Sequence, residues 1–263
     1  MNRGSLFWGF LLIAVGGLFF LQAIGLIDDV IGFLWPLFLF AAGGWILLGA
    51  FTRSRTEFSA NESFSIDLQG AQKVNFDFDH GAGQVQVTGG APTGVAVTGI
   101  KGVGMDVSSH LDGDVLSVDV DAGPTFVPFI GPEGGMWQFK LTNDVPVSLD
   151  VDAGATSMSF DLSSVKLNRF KMDTGASSTS LVLPRDGQPY VEVESGAASV
   201  DITVPDGMAA RIRVEGGASS MSIDQVRFPQ VDGDLYQSPD FESALNKAEI
   251  RLKGGANSVS VHS

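Results

Sequence analysis

The chain has no cysteine, which excludes disulfides, thiolate metal sites and thiol nucleophiles and leaves the redox compartment open. Histidine is nearly as scarce. His80, His110 and His262 are the only three, scattered without metal-ligand spacing. Basic residues number 16 against 30 acids, which leaves almost no basic patch to neutralise phosphates and argues against nucleic acid as a partner. The glycine-rich stretch around Gly102 and Gly104 lacks the helix that a phosphate-binding loop requires. The many serines follow glycines at bends, with no nucleophile elbow and no partnered base. A calcium-binding β-roll would need a nonapeptide period with Asp after the glycines, and neither is present. No catalytic set, cofactor or metal is therefore expected, and the chain reads as a non-enzyme.

Charge is also missing from most of the first 56 residues. Gly4 to Ile27 carries none, Asp28 and Asp29 follow, and Val30 to Thr52 again carries none. Each run is long enough to cross a hydrocarbon core of about 30 Å as a helix. A signal peptide fits less well, because the first run is long, lacks a small-x-small cleavage site and meets a second span at once. The reading is a two-helix transmembrane hairpin over residues 1–56. Trp8, Trp35 and Trp45 serve as interface anchors, and Gly16, Gly17, Gly43 and Gly44 allow close helix approach. Neither span holds an ionisable residue, which argues against a channel or proton path. Arg3, Arg53 and Arg55 flank the outer ends while the connection is acidic, so both chain ends are expected in the cytoplasm.

What the remainder does contain is a period. Gly154, Gly175, Gly196 and Gly217 recur every 21 residues, in LDVDAGATSMSFDL, FKMDTGASSTSLVL, VEVESGAASVDITV and IRVEGGASSMSIDQ, and IRLKGGANSVSVHS around Gly255 ends the sequence. A fixed period of this length means stacked coils. Five and three positions before each glycine stand apolar pairs such as Leu149 and Val151. Four and six positions after it stand pairs such as Met158 and Phe160, with Thr179 the one departure. Alternation on both sides of a glycine indicates two half-buried strands joined by a Gly-Ala turn, and Pro184 to Gly187 and Pro205 to Gly207 form a second turn. Gly81 and Gly123 share the phase, with a degraded coil expected around Gly102 between them. Excursions are expected near 124–146 and 226–248, the first a loop rich in Pro, Gly and aromatics. The fold class is all-β: a β-solenoid of roughly 21-residue coils over residues 57–263.

The in-phase rows also stack charge. Asp150, Lys171, Glu192 and Arg213, four positions before the glycine, alternate in sign and should compensate between coils. Asp152, Asp173, Glu194 and Glu215, two positions before it, are all acidic. At a spacing of about 4.8 Å each like pair costs only about 0.9 kcal/mol in bulk water, so a solvated face is tolerable. The other reading of that row is a docking surface for a basic segment of a protein partner. In the last coil Lys253 takes the acidic position, and the edge beyond it is expected to be open. Lys253 either compensates Glu215 and guards the edge, or the edge is a docking strand.

The two spans, LFWGFLLIAVGGLFFLQ and FLWPLFLFAAGGWILLG, resemble the LiaI-LiaF-like transmembrane region. The repeats LDVDAGATSMSFDL and VEVESGAASVDITV resemble the toast-rack domain of bacterial LiaF-like and adhesin-like proteins. That resemblance implies a toast-rack β-solenoid in the bacterial envelope-stress context, modulating a sensor kinase or related signalling partner. It departs at the turn, where Ser157, Ser178, Ser199 and Ser220 replace the family's Asp. The alternative function is an extracytoplasmic adhesin-like or scaffold protein, which needs the opposite topology.

Overall fold

The computed structural model describes residues 63–100, 105–122, 136–216, 220–255 and 258–263. The chain divides into two compact units, Met1–Phe58 and Ser59–Ser263, and the second carries all the described structure. The expected hairpin of residues 1–56 lies outside the described residues, as does Gly217. Among the described residues no helix is long and apolar enough to cross a membrane.

The described residues form a 17-stranded sheet. In chain order it begins with β1 (Ser63–Asp67), β2 (Lys73–Gly89), β3 (Val95–Ile100), β4 (Met105–Asp112), β5 (Val115–Ala122) and β6 (Met136–Leu141). The repeat region follows with β7 (Val147–Asp161), β8 (Leu167–Thr174), β9 (Ser178–Val182), β10 (Tyr190–Ser195), β11 (Ser199–Thr203), β12 (Ala209–Gly216) and β13 (Ser220–Ile223). A short pair, β14 (Gln230–Asp232) and β15 (Leu235–Gln237), precedes β16 (Lys247–Gly254) and β17 (Ser258–His262).

The expected period appears as parallel register. Leu149 lies beside Phe170 and Phe170 beside Val191, while Met158 lies beside Thr179 and Thr179 beside Val200. Stacking in phase puts apolar residue on apolar residue, so both apolar rows turn inward and are buried through the last coil. Thr179 is buried too, its hydroxyl 3.7 Å from the Met172 sulfur. The exceptions are Met221, 39% exposed, and Ile223, half-buried. Both sit on β13, which has β17 on one side and no strand on the other among the described residues.

The spatial order of coils differs from the chain order at both ends. Strand β5 flanks β2 on the side away from β7, so the Gly123 copy stacks outside the Gly81 copy. Gly102, around which a degraded coil is expected, lies outside the described residues, and the strands before and after it run antiparallel to their neighbours, β3 against β1 and β6, and β4 against β5. At the other end, β16 lies between β10 and β12, and β17 between β11 and β13. The last coil is therefore interior, and the expectation that it leaves an open edge is overturned.

Both excursions hold strands. The Pro and Gly content of the first predicts a loop, yet its end, Met136–Leu141, alternates outward and inward and forms β6. Trp137, Phe139 and Leu141 point in, where Phe139 packs edge-to-face on Phe76 and Phe78 at 5.7 and 5.6 Å. The second excursion contributes β15, antiparallel to β12, which covers that edge of the stack. Arg227 fastens it by donating to the carbonyls of Val204, Pro205 and Met208.

Gly175, Gly196 and Gly255 sit at bends between strands, as expected, whereas strand β7 runs unbroken through Gly154. Positive φ is found at the second turn, at Gly187 (107°) and Gly207 (87°), and near the first at Gly83 (149°) and Gly216 (112°). What the repeat glycines permit is close stacking. A Cβ on Gly154 would lie 2.5 Å from the Gly81 carbonyl oxygen, and one on Gly175 would lie 3.1 Å from that of Gly154. Gly154→Ala is therefore expected to cost about 1–3 kcal/mol through forced separation of two backbones. At Gly175→Ala the milder contact is opposed by the roughly 0.4–1 kcal/mol gained from a stiffer unfolded chain, so it should be nearly neutral. Denaturant unfolding of both variants checks this, and equal losses would contradict it.

Candidate functional site

The outward face of the parallel stack before the glycine column carries the acids. Its two rows follow from register. The row two positions before the glycine runs Asp106, Asp121, Asp79, Asp152, Asp173, Glu194, then Lys253 and Glu215. The row four positions before it runs Asp119, Asp77, Asp150, Lys171, Glu192, Arg251 and Arg213. Alternate residues of a strand share a face, so the two rows are side by side.

The four expected docking residues are consequently divided. Asp152 and Asp173 belong to a dense acidic patch completed by Asp77, Asp79, Asp106, Asp119, Asp121 and Asp150. Glu194 borders it. Glu215 is separated from Glu194 by the inserted Lys253, so the uniform row read from chain order does not exist. Nor does Lys253 pair with Glu215 as an edge guard. Its ammonium donates to Glu192 at 2.6 Å, and that hydrogen bond holds the Glu192 carboxyl below its ordinary pKa. The alternating row is compensated at Asp150 and Lys171, 3.7 Å apart, but Glu192 draws on Arg169 and Lys253 rather than Arg213.

Charge across this face is thus polarised. At one end Arg169 and Lys253 pair with Glu192, and Arg251 and Arg213 continue its row. Among the described residues the one ion pair reaching the acidic patch is that of Lys171 with Asp150. The crowding is felt at its centre. Partial burial first, and then the fields of Asp150, Asp119, Asp121 and Asp79, push the Asp77 carboxyl above its ordinary pKa. The residues missed from sequence had a readable signal, the Asp-x-Asp pairs that precede Gly81, Gly123 and Gly154. What hid them was the stacking order, which lets β5 and β7 flank β2 directly.

Behind this face, inside the stack, lies a polar anomaly. His80 is buried, its ring 4.3 Å from that of Trp137 and 5.7 Å from that of Phe78. Neither of its nitrogens has a hydrogen-bond partner among the described residues, and the same holds for Trp137 Nε1, Thr156 Oγ1 and Thr174 Oγ1. Burial holds the His80 pKa below its ordinary value, against the opposing pull of Asp79. His110 is exposed on β4, and the ring of His262 lies 3.1 Å from the Asp201 carboxylate. The three histidines are not brought together.

Residues 54–203 match the family model described as the N-terminal domain of toast_rack, DUF2154. No curated protein matches the chain. Among solved structures, a candidate cell adhesion protein from Clostridium sporogenes ATCC 15579 superposes with a TM-score of 0.69 at 14% identity, covering 77% of this chain and 98% of that one. A candidate adhesin from Bacteroides fragilis NCTC 9343 matches at 8% identity over 78% of this chain and 97% of that one, with a TM-score of 0.26. The first of these supports the all-β, toast-rack-like fold.

His80 and Asp77 give opposite pH signals. His80 binds protons less readily folded than unfolded, so its contribution is present above an unfolded pKa near 6.5 and is lost as pH falls below it. Asp77 binds them more readily folded, so protonation at lower pH, from its raised value down towards 3.8, adds stability. His262, its pKa raised by the Ser263 carbonyl and the Asp201 carboxylate, adds stability as pH falls through the same window. The decline due to His80 is therefore read as a difference: between pH 7 and 5.5 the full chain should lose stability relative to His80→Phe, which keeps a ring against Trp137. An unchanged slope in the variant would show that His80 is not its source.

Proposed function

We propose that this chain, which belongs to the family of the N-terminal domain of toast_rack, DUF2154, is a membrane-anchored, non-enzymatic interaction module of the bacterial cell envelope that docks a basic segment of a protein partner on its acidic face. The observation that carries this reading is the patch of Asp77, Asp79, Asp106, Asp119, Asp121, Asp150, Asp152 and Asp173. Like charges directly opposite one another on adjacent strands oppose folding, so the patch is a cost to the fold itself. Such a field attracts a cationic segment over distances of about a Debye length, 8 Å in physiological salt, and raises its encounter rate.

The residues before the β domain support anchorage, since the uncharged runs over residues 1–56 suit two membrane spans with both chain ends in the cytoplasm. In that arrangement the partner is a signalling protein of the envelope-stress response, with a sensor kinase the kind that the LiaF-like resemblance implies. A second reading, an extracytoplasmic adhesin-like or scaffold protein, is favoured by the likeness to the Clostridium sporogenes cell adhesion candidate.

Thiol labelling separates the two readings, and photo-crosslinking tests the docking face. Ser222→Cys places a single exposed thiol in a chain without cysteine, and a membrane-impermeant thiol reagent should leave it unlabelled in intact cells. Labelling would favour the adhesin-like reading. With a photo-crosslinking residue at the exposed Asn75, beside the patch, Asp79→Asn with Asp152→Asn should cut partner capture at least fivefold, while Glu215→Gln leaves it intact. Capture undiminished by the double variant would remove the acidic face as the docking surface.

A further inference from the structure

The inserted last coil poses a question of fit. Coil 4 (β12 and β13) keeps the 21-residue phase of the coils before it, and Pro205, Asp206 and Gly207 repeat the link of Pro184 to Gly187. Every sequence feature that seats β10 directly on β8 is present to seat β12 directly on β10. Instead β16 stands between them, with Val191 beside Ile250 and Ile250 beside Ile212. Coil 4 is thus one strand spacing further out than its period calls for.

Direct closure of coil 4 onto coil 3 (β10 and β11) satisfies the same rows. Val191 would meet Ile212, Val193 would meet Val214, and Ile202 would meet Ile223. Glu192 would gain Arg213 as a neighbour of opposite sign. The one adverse row is Glu194 against Glu215, the pair that Lys253 now separates. The inserted coil contributes Ala248, Ile250, Leu252, Val259 and Val261 to the core. Against that stands the entropy of ordering residues 247–263.

We propose that the junction of coils 3 and 4 is a two-state insertion slot: in one state residues 247–262 fill it, and in the other coil 4 closes in phase onto coil 3 and releases them as a free strand-turn-strand. Two in-phase packings of one sequence make a bistable element, and the charge row sets its balance. Lys253 favours the filled state by pairing with Glu192 and parting Glu194 from Glu215. A ligand for the released strands would draw the chain towards the closed state.

Three double-cysteine variants of the full chain read the two states. Ser199, Ser258 and Ser220 are exposed and lie side by side on β11, β17 and β13. Ser199→Cys with Ser258→Cys reports the filled state and should oxidise fastest. Ser199→Cys with Ser220→Cys spans two strand spacings, about 9.6 Å, beyond the roughly 7 Å a disulfide can bridge, and can close only in the other state. Ser178→Cys with Ser220→Cys lies three strand spacings apart in the filled state and two in the closed one, so it is brought together in neither. The expected result is that the 199–220 disulfide forms at least tenfold faster than the 178–220 one, leaves residues 247–263 open to trypsin, and accelerates at least threefold with Lys253→Glu. Formation of 199–220 no faster than 178–220, or no response to Lys253→Glu, would overturn the proposal.

Discussion

Backbone contact at the glycine column is the constraint on which the rest of the structure depends. Parallel strands stack about 4.8 Å apart only if nothing projects between them where the chain bends from one face to the other. At Gly154 a methyl group would press on the Gly81 carbonyl at 2.5 Å, and at Gly175 and Gly196 the next carbonyl stands 3.1 Å away. Backbone hydrogen bonds continue the ladder through the bends, from Gly175 to Ala153, from Gly196 to Thr174 and from Gly255 to Ser195. With the bends locked in phase, each side chain faces its counterpart in the neighbouring coil.

Phase then dictates chemistry. Inward positions collect Leu, Ile, Val, Phe and Met into one continuous core, and the fold is stabilised by their burial. Outward positions have no such filter, and there the same rule puts aspartate on aspartate. The acidic patch follows from register acting on a repeated Asp-x-Asp, which is why it concentrates where β5, β2 and β7 adjoin. Towards the other end the inserted coil brings Arg251 and Lys253 into the same rows and compensates them. One face therefore carries a separated dipole of charge, although its repeats look alike.

Much of this was legible in the residues. The period, the two inward rows, the second-turn glycines and the all-β class follow from spacing and alternation alone, because these are local. The order of coils was not. Register at Gly255 matches Gly196 and Gly217 equally well, and nothing in IRLKGG says that it enters between them. Strand β6 was hidden by composition, since Pro and Gly upstream of Met136 outweighed a short alternation that the Phe76 and Phe78 rings complete. The residues of the acidic patch were half legible. Asp152 and Asp173 could be chosen from the repeats, whereas Asp77, Asp119 and Asp121 needed the knowledge that a later strand lies outside an earlier one. The hairpin over residues 1–56 lies outside the described residues and is supported by hydropathy and charge.

The central claim is that phase is kept while chain order is not, so that the last coil of the sequence is an interior coil of the stack. Native-state amide exchange measures this most directly, because terminal strands ordinarily fray and exchange early. With β16 flanked on both sides by parallel partners, the amides of Ile250 and Leu252 should be protected to a degree comparable with Val191 and Val193, and well above Met221 and Ile223 on the outer strand. Early exchange at Ile250 and Leu252, with Met221 protected, would place the last coil at the open end and contradict the account.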